Sequence, residues 1–234
     1  MRTVTSYGVD FPVDGTIIDR GLERMLRNGN YERPEIRGLE RFVRPGDRVL
    51  ELGGGIGLIS TYLSKVLKVK RVLSFEANPD LIPFIREVQA LNGVTNVDIR
   101  NRILFNDTAD MPETVPFHIA DPLRASSLTR PVEGFVREVQ VATARLSDVI
   151  ADFDPTLIVC DIEGGETELF EAVDFRNVKR VYAESHRRKY GGLGIRKFFH
   201  DMHRHDFFFN ARYSADGQVL FHRLPPQHRG QWRP

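Results

Sequence analysis

The stretch VLELGGGIGL, residues 49–58, joins an apolar run to a cluster of glycines and decides the fold that we expect. The run Arg48–Leu52 is mostly apolar, as expected for a strand that is buried on both faces of a sheet. The glycines allow a tight turn in which a ligand approaches the backbone, and the following helix offers its free N–H groups to that ligand. The stretch therefore predicts a strand, a ligand-binding turn and a helix from Gly57 to Leu67.

Beyond this stretch, short apolar runs alternate with longer amphipathic ones up to about Glu184, which is typical of parallel strands joined by helices. The alternation predicts an α/β fold with a largely parallel sheet. We expect further strands at Arg71–Phe75, Asn96–Asn101, Leu157–Asp161 and Arg180–Glu184, and further helices at Pro79–Leu91 and Glu166–Val173.

Three parts of the chain depart from this alternation. Two helices are expected before the first strand, and an insertion with a β-hairpin lies between Leu104 and Leu146. After Tyr190, a glycine-rich turn leads to a helix ending near His203 and then to a closing antiparallel hairpin. The segments concerned are Arg20–Asn28 and Glu32–Phe42 for the two helices, Val115–Ala120 and Phe135–Ala142 for the insertion, and Asp206–Ala211 and Gln218–Arg223 for the closing hairpin.

Composition excludes several classes of protein. The 234 residues include 33 basic and 32 acidic ones, and the net charge of +1 provides no overall field that would hold nucleic acid or an anionic membrane. The single cysteine, Cys160, cannot form an internal disulfide, so a reducing compartment, the cytoplasm, is the simplest assignment. No apolar run approaches the roughly 20 residues that a membrane span needs.

The spacing of the glycines bears on the kind of ligand. Glycines occupy positions 53, 55 and 57, but Leu58 stands where a dinucleotide-binding G-x-G-x-x-G motif would have its third glycine. A nicotinamide cofactor is therefore less favoured, and an NAD(P)-dependent oxidoreductase remains an alternative. The second strand ends at Glu76, whose carboxylate is expected beside the glycine turn, where an acid can accept both hydroxyls of a ribose.

Four segments together resemble the FkbM family of S-adenosylmethionine-dependent methyltransferases: ELGGGIG (51–57), FEANP (75–79), VCDIEGGE (159–166) and AESH (183–186). The resemblance runs from about Tyr31 to His186. It implies a class I methyltransferase fold, which is a doubly wound, Rossmann-like sheet of seven strands, mostly parallel with an antiparallel last strand. It also implies methyl transfer, usually to a hydroxyl of a sugar or secondary metabolite, and hence a small-molecule acceptor.

The resemblance implies a cofactor site for S-adenosylmethionine. The glycine turn would surround the methionine part of the cofactor, Glu76 would hold the ribose, and the end of the third strand would contact the adenine. The family often has Asp where this chain has Glu51, a difference that keeps the charge. The cofactor-binding residues implied are Glu35, Glu51, Gly53, Gly55, Gly57, Glu76, Asn78, Asn101, Arg102 and Asp161.

Acidic residues and one histidine follow the fourth and fifth predicted strands. Asp161 and Glu163 close one strand, and Glu184 and His186 close the next, each pair with a spacing of two that keeps both side chains on one side. If the two strands are adjacent and parallel, these four residues converge at the edge where open α/β sheets bind ligands. We interpret them as the catalytic group.

Several roles are open for this catalytic group. His186 is a candidate general base because its ordinary pKa lies near neutrality, Asp161 or Glu163 could take that role instead, or the group could only position the acceptor. Asp161, Glu163 and Glu184 could alternatively hold a divalent cation, although we expect no metal. Glu166 is interpreted as an acid that stabilises the start of a helix.

We expect a single domain over residues 1–234, with a cap of helices at 1–46, a Rossmann-like core at 47–223 and a flexible tail at 224–234. An alternative from another functional class is a nucleotide-binding module that keeps the cofactor-binding turn but has no catalytic activity. The identity of the acceptor and the oligomeric state stay open at this point.

Overall fold

The computed structural model describes residues 2–121, 128, 134–162 and 164–229. Strands and helices alternate along most of this chain, as the sequence predicts. The strands are β1 (Thr3–Ser6), β2 (Val9–Pro12), β3 (Arg48–Leu52), β4 (Arg71–Glu76), β5 (Val97–Asn101), β6 (Ile103–Phe105), β7 (Thr114–Ala120), β8 (Phe135–Arg145), β9 (Leu157–Cys160), β10 (Arg180–Glu184), β11 (Phe207–Phe209) and β12 (Gln218–Arg223). The α-helices are α1 (Arg20–Arg27), α2 (Arg33–Phe42), α3 (Leu58–Lys65), α4 (Leu81–Leu91), α5 (Leu146–Phe153), α6 (Glu166–Leu169) and α7 (Arg187–Arg204), with 3₁₀ turns at Ala211–Tyr213 and Pro226–His228.

The main sheet positions the site. Within the described residues it has seven strands in the order β11-β12-β10-β9-β3-β4-β5. The strands β10, β9, β3, β4 and β5 are parallel, whereas β12 runs antiparallel to both β10 and β11. This order confirms the expected class I sheet with an antiparallel last strand, and it confirms that the fourth and fifth predicted strands are adjacent.

The central strand β3 is covered on both faces. Val49 belongs to the core cluster that includes residues of α1, α2 and α3, whereas Leu50 belongs to the cluster on the opposite face with α5 and α7. Successive side chains of a strand point to opposite faces, so a strand buried on both sides is apolar throughout its middle. This arrangement explains why the sequence of β3 is mostly apolar.

An N-terminal hairpin precedes the two helices and was not predicted from the sequence. Strands β1 and β2 pair antiparallel, and Val9 and Phe11 are fully buried in the same core cluster as α1 and α2. Helix α1 begins after Asp19, whose carboxylate accepts a hydrogen bond from the Leu22 N–H at 2.7 Å. The segment before β3 is therefore a hairpin with two helices rather than helices alone.

A buried ion pair ties this segment to the amino-terminal edge of the sheet. Asp47, just before β3, pairs with Arg180 at the start of β10, and both side chains are buried. Asp47 also accepts hydrogen bonds from the Arg44 N–H at 2.8 Å and from the Thr156 hydroxyl at 2.9 Å, and Arg180 donates to the Phe42 carbonyl at 2.7 Å. A buried pair with this many additional partners fixes the relative positions of α2, β3, β9 and β10.

The insertion contains the predicted hairpin. Strands β7 and β8 pair antiparallel, and β6 adds a third strand parallel to β8, which the sequence did not predict. Residues 122–127 and 129–133, between β7 and β8, lie outside the described residues. Arg137 of β8 contacts both carboxylate oxygens of Asp80 at 2.7 Å, so the insertion is tied to the start of α4.

Three helices differ from the expectation. The helix predicted over Glu166–Val173 ends at Leu169, because the chain turns there to bury Phe170 and Val173. Helix α5 was not predicted, and α7 begins at Arg187, before the glycines that were expected to form a turn. Gly191 has a φ of 62° and breaks the helical backbone inside α7, so the glycines act as a kink. No helix in the described part of the chain is long and apolar enough to cross a membrane.

Candidate active site

The glycine turn after β3 packs tightly against its neighbours. The N–H groups of Gly53 and Gly54 donate to the Phe75 carbonyl at 2.9 and 3.0 Å, which binds the turn to the end of β4. Gly53 has a φ of 93°, and a Cβ atom there would lie 1.9 Å from the backbone oxygen of Asp161. Only glycine fits this position, because a side chain would both strain the backbone and collide with the end of β9.

Glu76 lies directly beside this turn. One of its carboxylate oxygens accepts a hydrogen bond from the Gly55 N–H at 2.8 Å, and the other accepts from the Asn78 N–H at 2.7 Å. Burial raises the pKa of Glu76, whereas these and neighbouring backbone N–H groups oppose the rise. The turn after β3 and the turn after β4 are therefore in contact. This places Glu76 and the glycine turn where they can bind the same ligand, as expected.

An open cavity of about 840 Å³ runs along both turns. Its walls come from the segment before β3, from the two turns, from the start of the insertion and from the carboxyl end of β9. The lining includes Tyr31, Glu35, Gly53, Glu76, Arg102 and Asp161.

The other residues implied for the cofactor have different positions. Glu51 is buried but belongs to the cavity lining; it accepts a hydrogen bond from Ser74, and burial raises its pKa to about 8. Asn101 does not belong to the cavity lining; its amide donates to the carbonyls of Glu76 and Ala77 at 2.8 Å and holds that turn in place. Asn78 and Gly55 line the cavity directly.

Four carboxylates gather at one end of the cavity. Glu35 accepts a hydrogen bond from the Gln218 amide, and its pKa is raised by burial and by the charge of Asp161. Burial and the charges of Asp161 and Glu35 raise the pKa of Glu184 to about 7. Glu32, which the sequence analysis did not single out, has a pKa raised well above its usual range by burial and by Glu35. The cluster is a wall of acidic groups, and a positively charged ligand would favour their ionised forms.

His186 lies between two carboxylates behind this wall. Its Nε2 is 3.3 Å from Asp161 Oδ1, and its Nδ1 is 3.3 Å from Glu166 Oε1. Burial alone would lower the pKa of His186, but Asp161 and Glu166 outweigh it and raise the pKa to about 10. Asp161 lines the cavity, whereas His186 does not. An imidazole that is already charged at neutral pH cannot accept a proton, so this geometry favours Asp161 over His186 as the base.

Two other predictions concern Glu163 and a cation. Glu163 lies outside the described residues, so its predicted catalytic role stays a prediction. A cation held by Asp161, Glu163 and Glu184 stays an untested alternative to the expectation of no metal. Among the described residues, Asp161, Glu166 and His186 offer side-chain atoms within 4.8 Å of one another. The two ring nitrogens of His186 face different carboxylates, an arrangement that suits a proton on each nitrogen.

A comparison with protein families identifies the chain. The sequence model of the Methyltransferase FkbM domain matches residues 51–214. The chain belongs to the FkbM methyltransferase family. Membership confirms the resemblance seen in the sequence, together with methyltransferase activity and S-adenosylmethionine as the cofactor.

Solved structures agree with this assignment at the level of the fold. The FkbM chain is similar to the ribosomal protein L11 methylase of Lactobacillus delbrueckii subsp. bulgaricus, with a TM-score of 0.50, 16% identity and coverage of 84% of this chain and 81% of that one. It is also similar to a putative O-methyltransferase from Klebsiella pneumoniae, with a TM-score of 0.50, 14% identity and coverage of 89% and 90%. No curated protein matches the chain significantly.

Sequence reasoning missed three residues of the FkbM site. Glu32 was predicted as the first residue of a helix, but it precedes that helix in a left-handed backbone conformation, with a φ of 51°, that has no sequence signal. Glu166 was interpreted as a helix-end acid, whereas its carboxylate contacts His186. Tyr190 lines the cavity, and its hydroxyl accepts a hydrogen bond from the His186 N–H at 2.7 Å.

The stability of this methyltransferase is expected to fall as pH rises from about 4.5, the unfolded pKa of its glutamates, to about 10. Glu51, Glu184 and His186 have folded-state pKa values of about 8, 7 and 10, each above its ordinary value. A group with a raised folded pKa stabilises fully below its unfolded pKa, and this contribution is lost as pH rises through the folded value. Thermal unfolding midpoints, measured without cofactor across this range, test the trend.

The variant His186→Asn isolates one part of this pH dependence. It should flatten the decline at the alkaline end, above about pH 8, because Glu51 and Glu184 lose their protons at lower pH. The slope of the midpoint against pH is the readout, since the variant also lowers stability at every pH. An unchanged slope above pH 8 would contradict the raised pKa of His186.

Proposed function

We propose that this FkbM methyltransferase transfers the methyl group of S-adenosylmethionine to a hydroxyl oxygen of a small-molecule acceptor, of the sugar or secondary-metabolite class. The proposal rests on the position of Asp161, whose carboxylate lines the cavity next to the glycine turn. A carboxylate at this place accepts a hydrogen bond from an acceptor hydroxyl. A volume of about 840 Å³ lies within the usual range of small-molecule pockets, roughly 300–1,000 Å³.

The residues present fit the cofactor. Gly53 leaves the space that a Cβ would fill, and Gly55 and Glu76 face the same cavity. We expect Glu76 to accept the ribose hydroxyls and the glycine turn to contact the methionine part, with Glu51 supporting the turn from below. The cofactor supplies a methyl group bonded to a positively charged sulfur, and the carboxylates of Glu35 and Asp161 attract that charge.

Methyl transfer to a hydroxyl needs alignment and removal of one proton. Bound S-adenosylmethionine would supply the methyl group: a bond from the acceptor oxygen to the methyl carbon would form as the carbon–sulfur bond broke, with the electrons of the broken bond left on sulfur. Holding the oxygen in line with this bond supplies much of the rate. Asp161 orients the acceptor hydroxyl and takes its proton as the new bond forms, then releases it to water.

The test is transfer of an isotopically labelled methyl group to a panel of hydroxylated acceptors. Each sugar or polyol is matched with its O-blocked analogue and with an amino analogue. The proposal expects label in a methyl ether and none in the O-blocked compound. Label on nitrogen or carbon would contradict O-methylation.

Two alternative functions predict different outcomes when cofactor binding is measured together with methyl transfer. Tight binding of NAD(P) without binding of S-adenosylhomocysteine would favour an oxidoreductase. Firm binding of S-adenosylhomocysteine with no transfer to any acceptor would favour a catalytically silent module.

A further inference from the structure

We propose that Glu166 and His186 are positioning residues that hold the carboxylate of Asp161 at the cavity wall, in a chain that runs Glu166–His186–Asp161. This inference rests on the proposed role of Asp161 as the group that receives the acceptor proton. Neither Glu166 nor His186 lines the cavity, so both act through Asp161.

Burial increases along this chain from the cavity wall to the interior. The side chain of Asp161 is 32% exposed, that of His186 10% and that of Glu166 0%. Each link is 3.3 Å long, from Asp161 Oδ1 to His186 Nε2 and from His186 Nδ1 to Glu166 Oε1. The fully buried carboxylate is therefore the inner anchor, and the exposed one meets the cavity.

The anchor is itself fixed to the backbone next to Asp161. The Ile162 N–H donates to Glu166 Oε1 at 3.2 Å, so Glu166 holds both the imidazole and the chain that leaves β9. The Tyr190 hydroxyl accepts from the His186 N–H at 2.7 Å and holds the histidine backbone from the side of α7. The position of the imidazole is thus set by contacts from two helices.

Both ring nitrogens face carboxylate oxygens, which have no protons to donate when ionised. The arrangement is therefore favourable only when both nitrogens carry protons, so that His186 is a cation between two anions. The raised pKa of His186 agrees with this reading. A buried carboxylate such as Glu166 also needs this positive partner, because an isolated buried charge is costly.

The positive charge of the imidazolium stabilises the ionised carboxylate of Asp161 at this end of the cavity. Asp161 lies near Glu32, Glu35 and Glu184, which repel its charge when they are ionised. The imidazolium offsets this repulsion and fixes Oδ1, so that rotation of the carboxylate is restricted and Oδ2 is left for the acceptor. Fixed orientation of a catalytic group contributes to rate through alignment.

Several charged or titratable groups surround His186. Asp161 comes from the end of β9, Glu166 from α6 and Glu184 from β10, and the helix that follows contributes Arg187, Arg188, Lys189 and Tyr190. Of these carboxylates, Asp161 and Glu166 contact the imidazole. Asp161 lines the cavity, whereas Glu166 does not. Replacement of Glu166 therefore tests the chain without altering the contacts of the acceptor.

The experiment compares Glu166→Gln with a matched control, Glu87→Gln. Gln keeps the size of Glu166 and an oxygen for the Ile162 N–H but removes the charge, whereas Glu87 is an exposed residue of α4. The imidazole of His186 is titrated by NMR in each protein, and its resonance is assigned by its disappearance in His186→Asn. We expect the midpoint to fall by at least about one pH unit in Glu166→Gln and to stay unchanged in Glu87→Gln.

Kinetics supply the second readout. In Glu166→Gln we expect kcat to fall about tenfold or more, while the affinity for S-adenosylhomocysteine stays within about twofold, because positioning acts on the reacting group. The alkaline limb of the kcat profile should shift to lower pH together with the His186 midpoint. Glu166→Asp, which keeps the charge, should recover part of both effects.

Different results separate the failure of this chain from the failure of the proposed function. An unchanged His186 midpoint in Glu166→Gln, or an unchanged kcat in a variant with a shifted midpoint, would overturn the positioning role. Absence of transfer to every hydroxyl acceptor by the unmodified protein would instead overturn O-methylation. The NMR titration still decides the link between Glu166 and His186 in that case, since it needs no turnover.

Discussion

Replacing Asp161 with asparagine is expected to lower kcat by about 10²–10⁴-fold. Asparagine keeps the size of the side chain and an oxygen that can face His186 Nε2, but it is a far weaker proton acceptor than a carboxylate. The measurement is single-turnover methyl transfer with saturating cofactor and acceptor, which reports the chemical step directly. The affinity for S-adenosylhomocysteine should change much less than the rate.

An exposed aspartate provides the control for this substitution. Asp152 lies on α5 away from the cavity lining, and Asp152→Asn makes the same chemical change there. It should leave kcat unaltered. Full activity of Asp161→Asn would show that the proton leaves by another route, with Glu184 as the next candidate because its pKa of about 7 suits proton transfer near neutrality.

Replacing Glu76 with glutamine is expected to weaken binding of S-adenosylhomocysteine by about 100-fold or more. Hydrogen bonds to a charged group contribute roughly 1.5–3 kcal/mol each, and two are expected from the ribose hydroxyls. Glutamine also places an NH₂ group against the N–H of Gly55 or Asn78, both of which donate to Glu76. Isothermal titration calorimetry measures the loss.

The loss of affinity must be separated from a loss of folding. The thermal unfolding midpoint without ligand is compared between Glu76→Gln and Glu87→Gln, the matched change on the exposed face of α4. Binding is then measured at a temperature where both variants are folded. Unaltered affinity in folded Glu76→Gln would remove Glu76 from the ribose site and with it the central assignment of the cavity.

Much of the main sheet could be predicted because its signals are local. The apolar run of β3 and the glycines at 53, 55 and 57 lie within a few residues of one another, and the structure has the strand and turn where they predict. The hairpin of β1 and β2 escaped prediction because its buried residues, Val9 and Phe11, take their role from packing against distant helices. Helix α5 has a helical spacing in Leu146, Val149 and Ile150, which are buried together, so the sequence does contain a signal for this helix.

The sequence predicts those site residues that directly follow the ends of strands. It does not predict residues whose contacts form only when the chain folds back on itself. Asp161 and Glu76 were found because parallel strands bring their carboxyl ends to one edge. The contact of Glu166 with His186 depends on a four-residue helix returning its first side chain toward β10. The protonation of His186 likewise depends on two carboxylates, Asp161 and Glu166, which lie 25 and 20 residues before it in the sequence and come close to it only through the fold.

The ion pair of Asp47 and Arg180 has a consequence for how this scaffold can diverge. It anchors the chain at the amino-terminal edge of the sheet, whereas the cavity opens at the opposite edge. Residues that contact the acceptor can therefore be substituted during evolution without weakening this ion pair. Acceptor specificity can change while the fold stays stable.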